Sequence, residues 1–420
     1  MPLTFRNVRS LLRRVATSAA IAAALVAPSS AGAQNLDLVN ATLIDGTGMP
    51  PRAGVHVRIR DGKIYAIDTT LPAADPAVRR VDLSGRYLLP GFIDAHAHLD
   101  SPDAARRALA SGVTTVRVLG DAHLRALGTR ELIRAGHVPG PELLVASSIV
   151  RPRPGVAFYQ TYPQFGATID GELRGPETIA AVVQAMIDRG VDVIKVGASE
   201  RAGLASTDPR RPELTEDEIR AAVETARAAG RFVAAHAHAR EGAAAAVGAG
   251  VRSIEHGTYV DDDTLAEMRK RRTFFVPTLA VMSDLGDPRG NSADDITLQV
   301  RTYHMMAPLR EAVRKAKALG IVVAASTDGS YGDGDDTARI RIAHEIEMLV
   351  RHCGFTPLEA IEAATHSAAR VLGIDSRTGA VQPGLEADLL VFERNPVDDT
   401  TVLFDPLVVI SNGVVVVGSL

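Results

Sequence analysis

Short runs of β-branched and apolar residues alternate with alanine-rich amphipathic stretches from residue 88 to residue 373. The runs predicted to be strands are 88–98, 114–119, 142–147, 191–196, 231–236, 253–256, 273–277 and 321–328. Helices are predicted at about 103–111, 123–135, 176–189, 215–229, 240–249, 261–271, 298–319 and 337–353, with one more at about 357–373. Eight strand–helix alternations predict an α/β fold whose parallel strands close into a (β/α)8 TIM barrel.

The segments on either side of this region, residues 34–87 and 374–420, have a different pattern. Both contain short predicted strands: Val55–Arg60 alternates apolar and polar residues, and the second segment has the apolar runs Leu389–Phe392, Leu407–Ile410 and Val414–Val417. Each also has a two-residue hairpin signal, Asp61-Gly62 in the first segment and Asn412-Gly413 in the second. Because the two segments flank the barrel in sequence, we predict that they pair with each other as one small β-sandwich domain.

The composition excludes some classes of function. The chain has 46 Lys and Arg and 50 Asp and Glu in mixed order, with a formal net charge of −4, so no basic block indicates a nucleic-acid partner. Cys353 is the single cysteine, so an intramolecular disulfide and a cysteine-based zinc site are both excluded.

Residues 1–33 have the pattern of a secretory signal peptide. Arginines precede a short apolar run, Val15–Val26, and Ala31-Gly32-Ala33 matches the small-x-small cleavage pattern. We therefore expect an exported protein, periplasmic or secreted, whose mature chain begins at Gln34. No stable membrane association is expected after cleavage.

Several polar residues lie at the C-terminal ends of the predicted barrel strands, and these ends meet around one rim. They are His96 and His98 on the first strand, Lys195 on the fourth, His236 on the fifth, His256 on the sixth and Asp328 on the eighth. Four neutral imidazoles and a carboxylate could hold two divalent metal ions. A lysine ammonium is a poor ligand, so Lys195 fits such a site only if its charge is removed.

Motifs in the same order along the chain resemble those of the amidohydrolase superfamily of metal-dependent hydrolases. The resemblance is to the imidazolonepropionase-like and prolidase-like branch, which includes ochratoxin-degrading amidases. The matching stretches are Leu89 to His98, Gly112 to Arg117, Ile194-Lys195-Val196, Ala235 to His238, Ser253 to Gly257, Ser326-Thr327-Asp328 and Gly379 to Leu389.

The resemblance implies a binuclear centre. Zn²⁺ is the favoured metal, but the ligand types suit manganese and cobalt as well, so the sequence leaves the metal open. His96 and His98 would bind one ion, His236 and His256 the other, and Lys195, carboxylated by CO₂, would bridge them. Asp328 would contact the metal centre and act as the catalytic residue that transfers the proton. The implied reaction is cleavage of an amide bond, in a peptide or an N-acyl amino acid, by a hydroxide that bridges the metals.

Two other functions stay open at this point. The same site could serve a lactonase, an esterase or a cyclic-amide hydrolase, and a non-catalytic binding protein could retain the barrel. A small-molecule amide is the expected partner, and the sequence leaves open whether the chain forms a homo-oligomer.

The residues that bind substrate are harder to predict. Two long connections, 149–175 and about 280–297, should lie on the active face of the barrel. We hypothesise that an arginine pairs with a substrate carboxylate, because bidentate pairing favours arginine over lysine. The candidates for substrate binding are Arg151, Arg153, Arg240, Tyr159, Tyr162 and His238.

Strand periodicity makes two further predictions. His236 and His238 share one face of their strand, so spacing alone does not say which binds metal, and the resemblance favours His236. Glu255 precedes His256 in the sixth strand and should therefore point to the opposite face, as a structural residue.

Overall fold

The computed structural model describes residues 34–290, 292, 294–332 and 340–420, so the predicted signal peptide lies outside the described residues. The strands are β1 (Leu36–Leu43), β2 (Arg52–Arg60), β3 (Lys63–Asp68), β4 (Arg79–Asp82), β5 (Tyr87–Pro90), β6 (Phe92–Ala97), β7 (Val113–Val118), β8 (Glu142–Val145), β9 (Val193–Gly197), β10 (Phe232–Ala237), β11 (Ser253–His256), β12 (Phe274–Val276), β13 (Leu389–Phe392), β14 (Val408–Ser411) and β15 (Val414–Val417).

The helices alternate with the strands from β6 onwards. They are α1 (Pro102–Ala110), α2 (Arg125–Arg134), α3 (Val156–Thr161), α4 (Pro176–Asp188), α5 (Glu216–Ala228), α6 (Arg240–Ala249), α7 (Asp262–Arg271), α8 (Leu279–Gly286), α9 (Ile296–Ala318), α10 (Ile342–Cys353), α11 (Pro357–Ala363) and α12 (His366–Leu372), with 3₁₀ turns at Pro163–Thr168 and Thr400–Phe404. None of the helices in the described part of the chain has both the length and the apolar character needed to cross a bilayer.

The parallel strands form a ring. One ladder runs β6-β7-β8 and another runs β9-β10-β11-β12. Val150 joins them, because its N–H donates to the Lys195 carbonyl at 2.8 Å and its carbonyl accepts from Gly197 at 2.8 Å. The predicted eighth strand lacks a regular ladder, yet Ala324 donates to Phe275 at 2.9 Å and Asp328 donates to His96 at 2.7 Å. The segment therefore bridges β12 and β6, and the barrel prediction is confirmed.

The strands from the two ends of the chain pair with each other in one eight-stranded sheet, ordered β15-β14-β13-β5-β1-β2-β3, with β4 beside β1. Ile64 of β3 also exchanges backbone hydrogen bonds with Gly384 and Leu385, so the β3 edge curls towards the C-terminal segment. The sheet encloses a hydrophobic cluster of its own, to which Leu38 and Ile410 both belong.

The stretch predicted as one strand, 88–98, divides in the structure. β5 belongs to the terminal sheet and β6 to the barrel, and Gly91 lies between them. A Cβ on Gly91 would lie 2.2 Å from the Thr114 hydroxyl oxygen, which is far too close. The chain can therefore cross from the terminal sheet to the barrel at this position only because glycine has no side chain. The boundary between the two layers is therefore set by close packing, which periodicity does not reveal.

The long connections also differ from expectation. The 149–175 segment contains α3 and a 3₁₀ turn, and α8 occupies the start of the 280–297 segment. The helix predicted over 357–373 is two helices, α11 and α12, which are separated at Ala364 and Thr365. Thr365 starts the second helix with an irregular backbone, φ −133° and ψ −95°, which explains the interruption.

We predict that Glu345 makes folding stability depend on pH. It is fully buried in α10 and accepts a hydrogen bond from the Ala280 N–H at 2.7 Å, and burial raises its pKa to about 8. Above pH 4.5, the ordinary pKa of a glutamate, the unfolded state releases the Glu345 proton, whereas the folded state keeps it up to about pH 8. Stability should fall as pH rises between these values, by at most about 1.4 kcal/mol per pH unit for this group.

The measurement is the melting temperature of Glu345→Gln between pH 5 and pH 8, compared with the unsubstituted chain. Glutamine carries no titrating proton, so the slope should become shallower. Glu347→Gln, in an ion pair with Arg351 on the same helix, is the matched control and should leave the slope unchanged. An identical slope in the Glu345 variant and the unsubstituted chain would contradict the prediction.

Candidate metal centre

The carboxyl ends of the barrel strands open into a cleft of about 530 Å³. His96, Lys195, His236, His256 and Asp328, the residues predicted from separate strands, all line it. His98 and His238 line it as well. The structure thus brings together all six of the predicted ligands, although it leaves their role as ligands a prediction.

His96, His98 and Asp328 form one cluster. Oδ1 of Asp328 lies 3.2 Å from Nε2 of His96 and 2.8 Å from Nε2 of His98. Nδ1 of His98 lies 3.0 Å from the Gly120 carbonyl, which can only accept, so this nitrogen carries a proton. In the neutral imidazole Nε2 is then an acceptor that faces a carboxylate oxygen. Such an arrangement calls for a cation, either an added proton or a metal ion.

The pKa shifts of His98 and Asp328 also indicate that this cluster favours a cation. Burial opposes the charged form of His98, but its bond to the Asp328 carboxylate outweighs burial and raises the pKa of His98 above the ordinary value. Burial similarly opposes ionisation of Asp328, while His96, His98 and Lys195 together hold the pKa of Asp328 well below its usual range. The carboxylate is therefore ionised at neutral pH.

His236, His238 and His256 form a second cluster, in which ligand atoms from all three lie within 4.8 Å of one another. The ring centroids of His236 and His256 are 4.6 Å apart, and His238 stacks on His256 at the same distance. Burial lowers the pKa of His238 to about 3 and those of the other two well below 6.5. All three are neutral imidazoles near pH 7, the form that binds metal.

Lys195 lies in the barrel core, where it is 1% exposed. Its Nζ is 3.4 Å from Nε2 of His96. Burial lowers the pKa of Lys195 to about 8, so the neutral amine is much easier to reach than in a solvated lysine. A neutral amine is the form that can react with CO₂, so the chemical objection to a lysine at this position is removed.

Two of these residues have an unusual backbone conformation. His256 has φ +68° and Asp328 has φ +52°, both in the left-handed region, which is uncommon for residues other than glycine. Strain of this kind persists only where the surrounding structure imposes it, and it is found preferentially at functional sites. Here it turns the last residue of a strand into the cleft.

This geometry corrects the prediction for Glu255. The left-handed turn at His256 breaks the strand alternation, so Glu255 and His256 both point into the barrel. Glu255 is fully buried, with Oε1 at 2.9 Å from Nη2 of Arg117 and Oε2 at 3.0 Å from Nδ1 of His96. The sequence signal that could have located it is Arg117, a charged residue inside an apolar predicted strand that needs a buried partner.

The structure does not bring the predicted substrate arginines to the cleft. Arg153 and Arg240 are exposed, and each pairs with a nearby glutamate. Arg151 is buried and lies 3.3 Å from the Glu213 carboxylate. The two tyrosines are also occupied elsewhere, because Tyr159 donates to a backbone carbonyl at 3.0 Å and the Tyr162 hydroxyl is 2.7 Å from a serine hydroxyl.

An arginine that sequence reasoning missed does line the cleft. Arg201 follows β9 and forms no ion pair with any described residue. Its loop is held by Arg301 of α9, which donates to four carbonyls between Ala202 and Thr207, for example to Leu204 at 2.7 Å. The position of Arg201 depends on this loop, and periodicity gives no information about loops.

A parallel barrel with histidine clusters at the carboxyl ends of its strands is compatible with the class of barrel hydrolases that bind divalent metals. The comparisons agree. The sequence pattern of the amidohydrolase family matches residues 87–416. Ochratoxinase of Aspergillus niger is 28% identical over an alignment of 416 positions, and the alignment covers 87% of this chain and 82% of the relative.

Solved structures are similar as well. A Xaa-Pro dipeptidase with bound methionine superposes with a TM-score of 0.80 at 25% identity, covering 92% of this chain and 100% of that one. A putative prolidase from Bifidobacterium longum gives 0.78 at 27% identity, covering 92% and 95%. The chain belongs to the amidohydrolase family and is a hydrolytic enzyme that acts on carbon–nitrogen bonds.

We predict that His236, and not His238, binds metal. Nε2 of His236 lies 3.2 Å from the Glu200 carbonyl, which fixes the proton on Nε2 and leaves the Nδ1 lone pair free. Nδ1 of His238 lies 2.8 Å from the Thr258 hydroxyl, which can donate or accept, as the Thr278 hydroxyl can at His256, so the choice rests on the fixed tautomer of His236 and on the family resemblance. Metal analysis should show that His236→Asn loses bound metal while His238→Asn keeps it. The reverse pattern would contradict the assignment.

Proposed function

We propose that this enzyme is a binuclear metal-dependent amidohydrolase that cleaves amide bonds in small peptides or N-acyl amino acids. The observation that carries the proposal is the convergence of two histidine clusters and a buried lysine on one cleft, at the carboxyl ends of the barrel strands. Buried neutral imidazoles with one nitrogen occupied by the protein and the other free are arranged as metal ligands are.

We assign His96 and His98 to one ion and His236 and His256 to the other, with Zn²⁺ the favoured metal. Lys195, carboxylated to a carbamate, would bridge the two, because the carbamate is an anion with two oxygen ligands. Divalent ions at such a site lower the pKa of a bound water and polarise a carbonyl. The remaining steps fall to the side chains of the chain itself.

Asp328 is the group placed to move the proton. Its Oδ1 lies at the junction of His96 and His98, and it is ionised at neutral pH. In the proposed reaction this carboxylate accepts the proton of the attacking water and delivers it to the leaving nitrogen, as general base and then general acid. The amine then departs and the carboxylate is ready for the next turnover.

The walls of the cleft support an apolar substrate with one anionic group. Ile149, Leu204, Val281 and Leu285 contribute apolar surface, and Arg201 contributes a positive charge without a protein partner in an ion pair. We propose that Arg201 pairs with the free carboxylate of the substrate. The names of the relatives, a Xaa-Pro dipeptidase, a prolidase and an ochratoxinase, are compatible with amide substrates of this kind.

We also propose that the protein is exported, on the basis of the signal pattern in residues 1–33. The mature chain would then begin at Gln34, and N-terminal sequencing of protein recovered outside the cytoplasm would test this. A mature protein that retains residues 1–33 would contradict it.

Hydrolysis should require metal and Lys195. Protein loaded with Zn²⁺ in the presence of bicarbonate should retain two ions per chain and hydrolyse acyl-proline or acyl-phenylalanine substrates. Lys195→Ala should lower kcat/KM on the order of 10³-fold or more, since the metals supply several kcal/mol. Lys270→Ala, at an exposed lysine, is the matched control. Assays with lactones distinguish the esterase alternative, and folded protein that retains no metal would contradict the proposal.

Replacement of Arg201 should weaken substrate binding more than it slows the chemical step. Arg201→Met removes a charge-assisted pair worth about 1.5–3 kcal/mol, so KM for carboxylated substrates should rise roughly 10- to 150-fold with a smaller change in kcat. Arg153→Met, at an exposed arginine of the neighbouring loop, is the control and should have no effect. An equal loss on substrates that lack a carboxylate would exclude the proposed pairing.

A further inference from the structure

A buried chain of charged side chains crosses the barrel interior behind the metal centre. Arg117 of β7 donates from Nη2 to Oε1 of Glu255 at 2.9 Å and from Nε to the Ala95 carbonyl at 2.6 Å. The Ser253 hydroxyl also contacts Oε1 of Glu255, at 2.5 Å. Both charged residues are at most 2% exposed.

The free end of this chain faces a predicted metal ligand. Oε2 of Glu255 lies 3.0 Å from Nδ1 of His96. The two atoms are close without the alignment of a full hydrogen bond, and neither has another hydrogen-bond partner among the described residues. The other nitrogen of the ring, Nε2, faces Lys195 at 3.4 Å and Asp328 at 3.2 Å.

A buried ion pair is a poor way to stabilise a fold. Removing two charges from water costs several kcal/mol per ion, and apolar residues of similar volume often replace such pairs without loss of stability. Apart from each other and the Ser253 hydroxyl, Arg117 and Glu255 contact β6, at the Ala95 carbonyl and at the His96 ring. Stability therefore does not explain the pair, whereas orientation of His96 does.

We propose that Glu255, held in place by Arg117, is a positioning residue that sets the tautomer and ring orientation of His96. A carboxylate at Nδ1 keeps the proton on that nitrogen and directs the Nε2 lone pair into the cleft. Among the five histidines of the two clusters, His96 has a carboxylate at the nitrogen that faces away from the cleft, whereas the others have hydroxyl or carbonyl partners there. The inference rests on the proposed metal-dependent function.

The test measures the affinity for Zn²⁺ by competition with a chelator, together with the absorption spectrum of the Co²⁺-loaded protein. Glu255→Gln presents an amide N–H₂ or a carbonyl with no charge to His96, so the affinity for one ion should fall 10- to 100-fold. Asp192→Asn is the matched control. Asp192 lies just before β9, at the end of the strand opposite the cleft, where it pairs with Arg130 and accepts a hydrogen bond from the Val145 N–H. It should leave affinity and spectrum unchanged.

Glu255→Gln leaves Arg117 buried without its charged partner, which destabilises the fold, so a second variant decides the question. The double variant Arg117→Met/Glu255→Leu removes both charges and should fold, yet it also removes the acceptor for His96. We expect it to show the same 10- to 100-fold loss of affinity and an altered Co²⁺ spectrum. Affinity equal to that of the unsubstituted protein would overturn the inference and assign the pair a structural role only. Failure of the unsubstituted protein to bind metal would instead overturn the proposed function.

Discussion

Burial of ionisable side chains is the constraint on which the whole site depends. Five imidazoles, an amine and a carboxylate meet at one end of the barrel, where charged forms lose most of their hydration. Nearly every one of these groups has a hydrogen-bond partner on the side that faces away from the cleft. Their nitrogen and oxygen atoms on the cleft side are left free. Those atoms face one another across the cleft. Their shared need for a cation is the physical basis of the proposed metal centre.

The backbone contributes to the same end. The left-handed conformations of His256 and Asp328 turn side chains inwards at positions where a regular strand would alternate. At Asp328 the buried Asp94 holds this conformation, because it accepts hydrogen bonds from Thr327 N–H at 3.0 Å and from the Tyr331 hydroxyl at 2.8 Å, on both sides of the turn. Side-chain hydrogen bonds thus replace the regular ladder that the eighth strand lacks.

The same two residues explain what the sequence could and could not predict. Strand periodicity and the barrel rule were enough to place His96, Lys195 and His236 at one rim, because regular strands fix which side chains face the interior. The inward orientation of Glu255 was missed because it follows from a positive φ at the next residue. Backbone conformations of this kind depend on tertiary contacts and leave little trace in a single sequence.

Loops and junctions were beyond prediction for a related reason. Arg201 lies on a segment held by hydrogen bonds from Arg301, almost a hundred residues later in the chain. Local patterns contain no information about such a contact, so the choice among arginines near the rim could not be made from spacing. The proposed substrate contacts are therefore the part of the site for which the structure adds most.

The junction at Gly91 connects the terminal sheet to the candidate metal centre. Its N–H donates to the Asp388 carbonyl at 2.8 Å, just before β13, and its missing side chain allows contact with Thr114 of β7. His96 lies five residues further along the same extended segment, so the position of its strand is fixed at the entrance by the C-terminal part of the chain. Arg117 and Glu255 then hold the other end of the strand through Ala95 and His96. With both ends of β6 anchored, His96 and His98 are held in place, as the proposed metal site would require of its ligands.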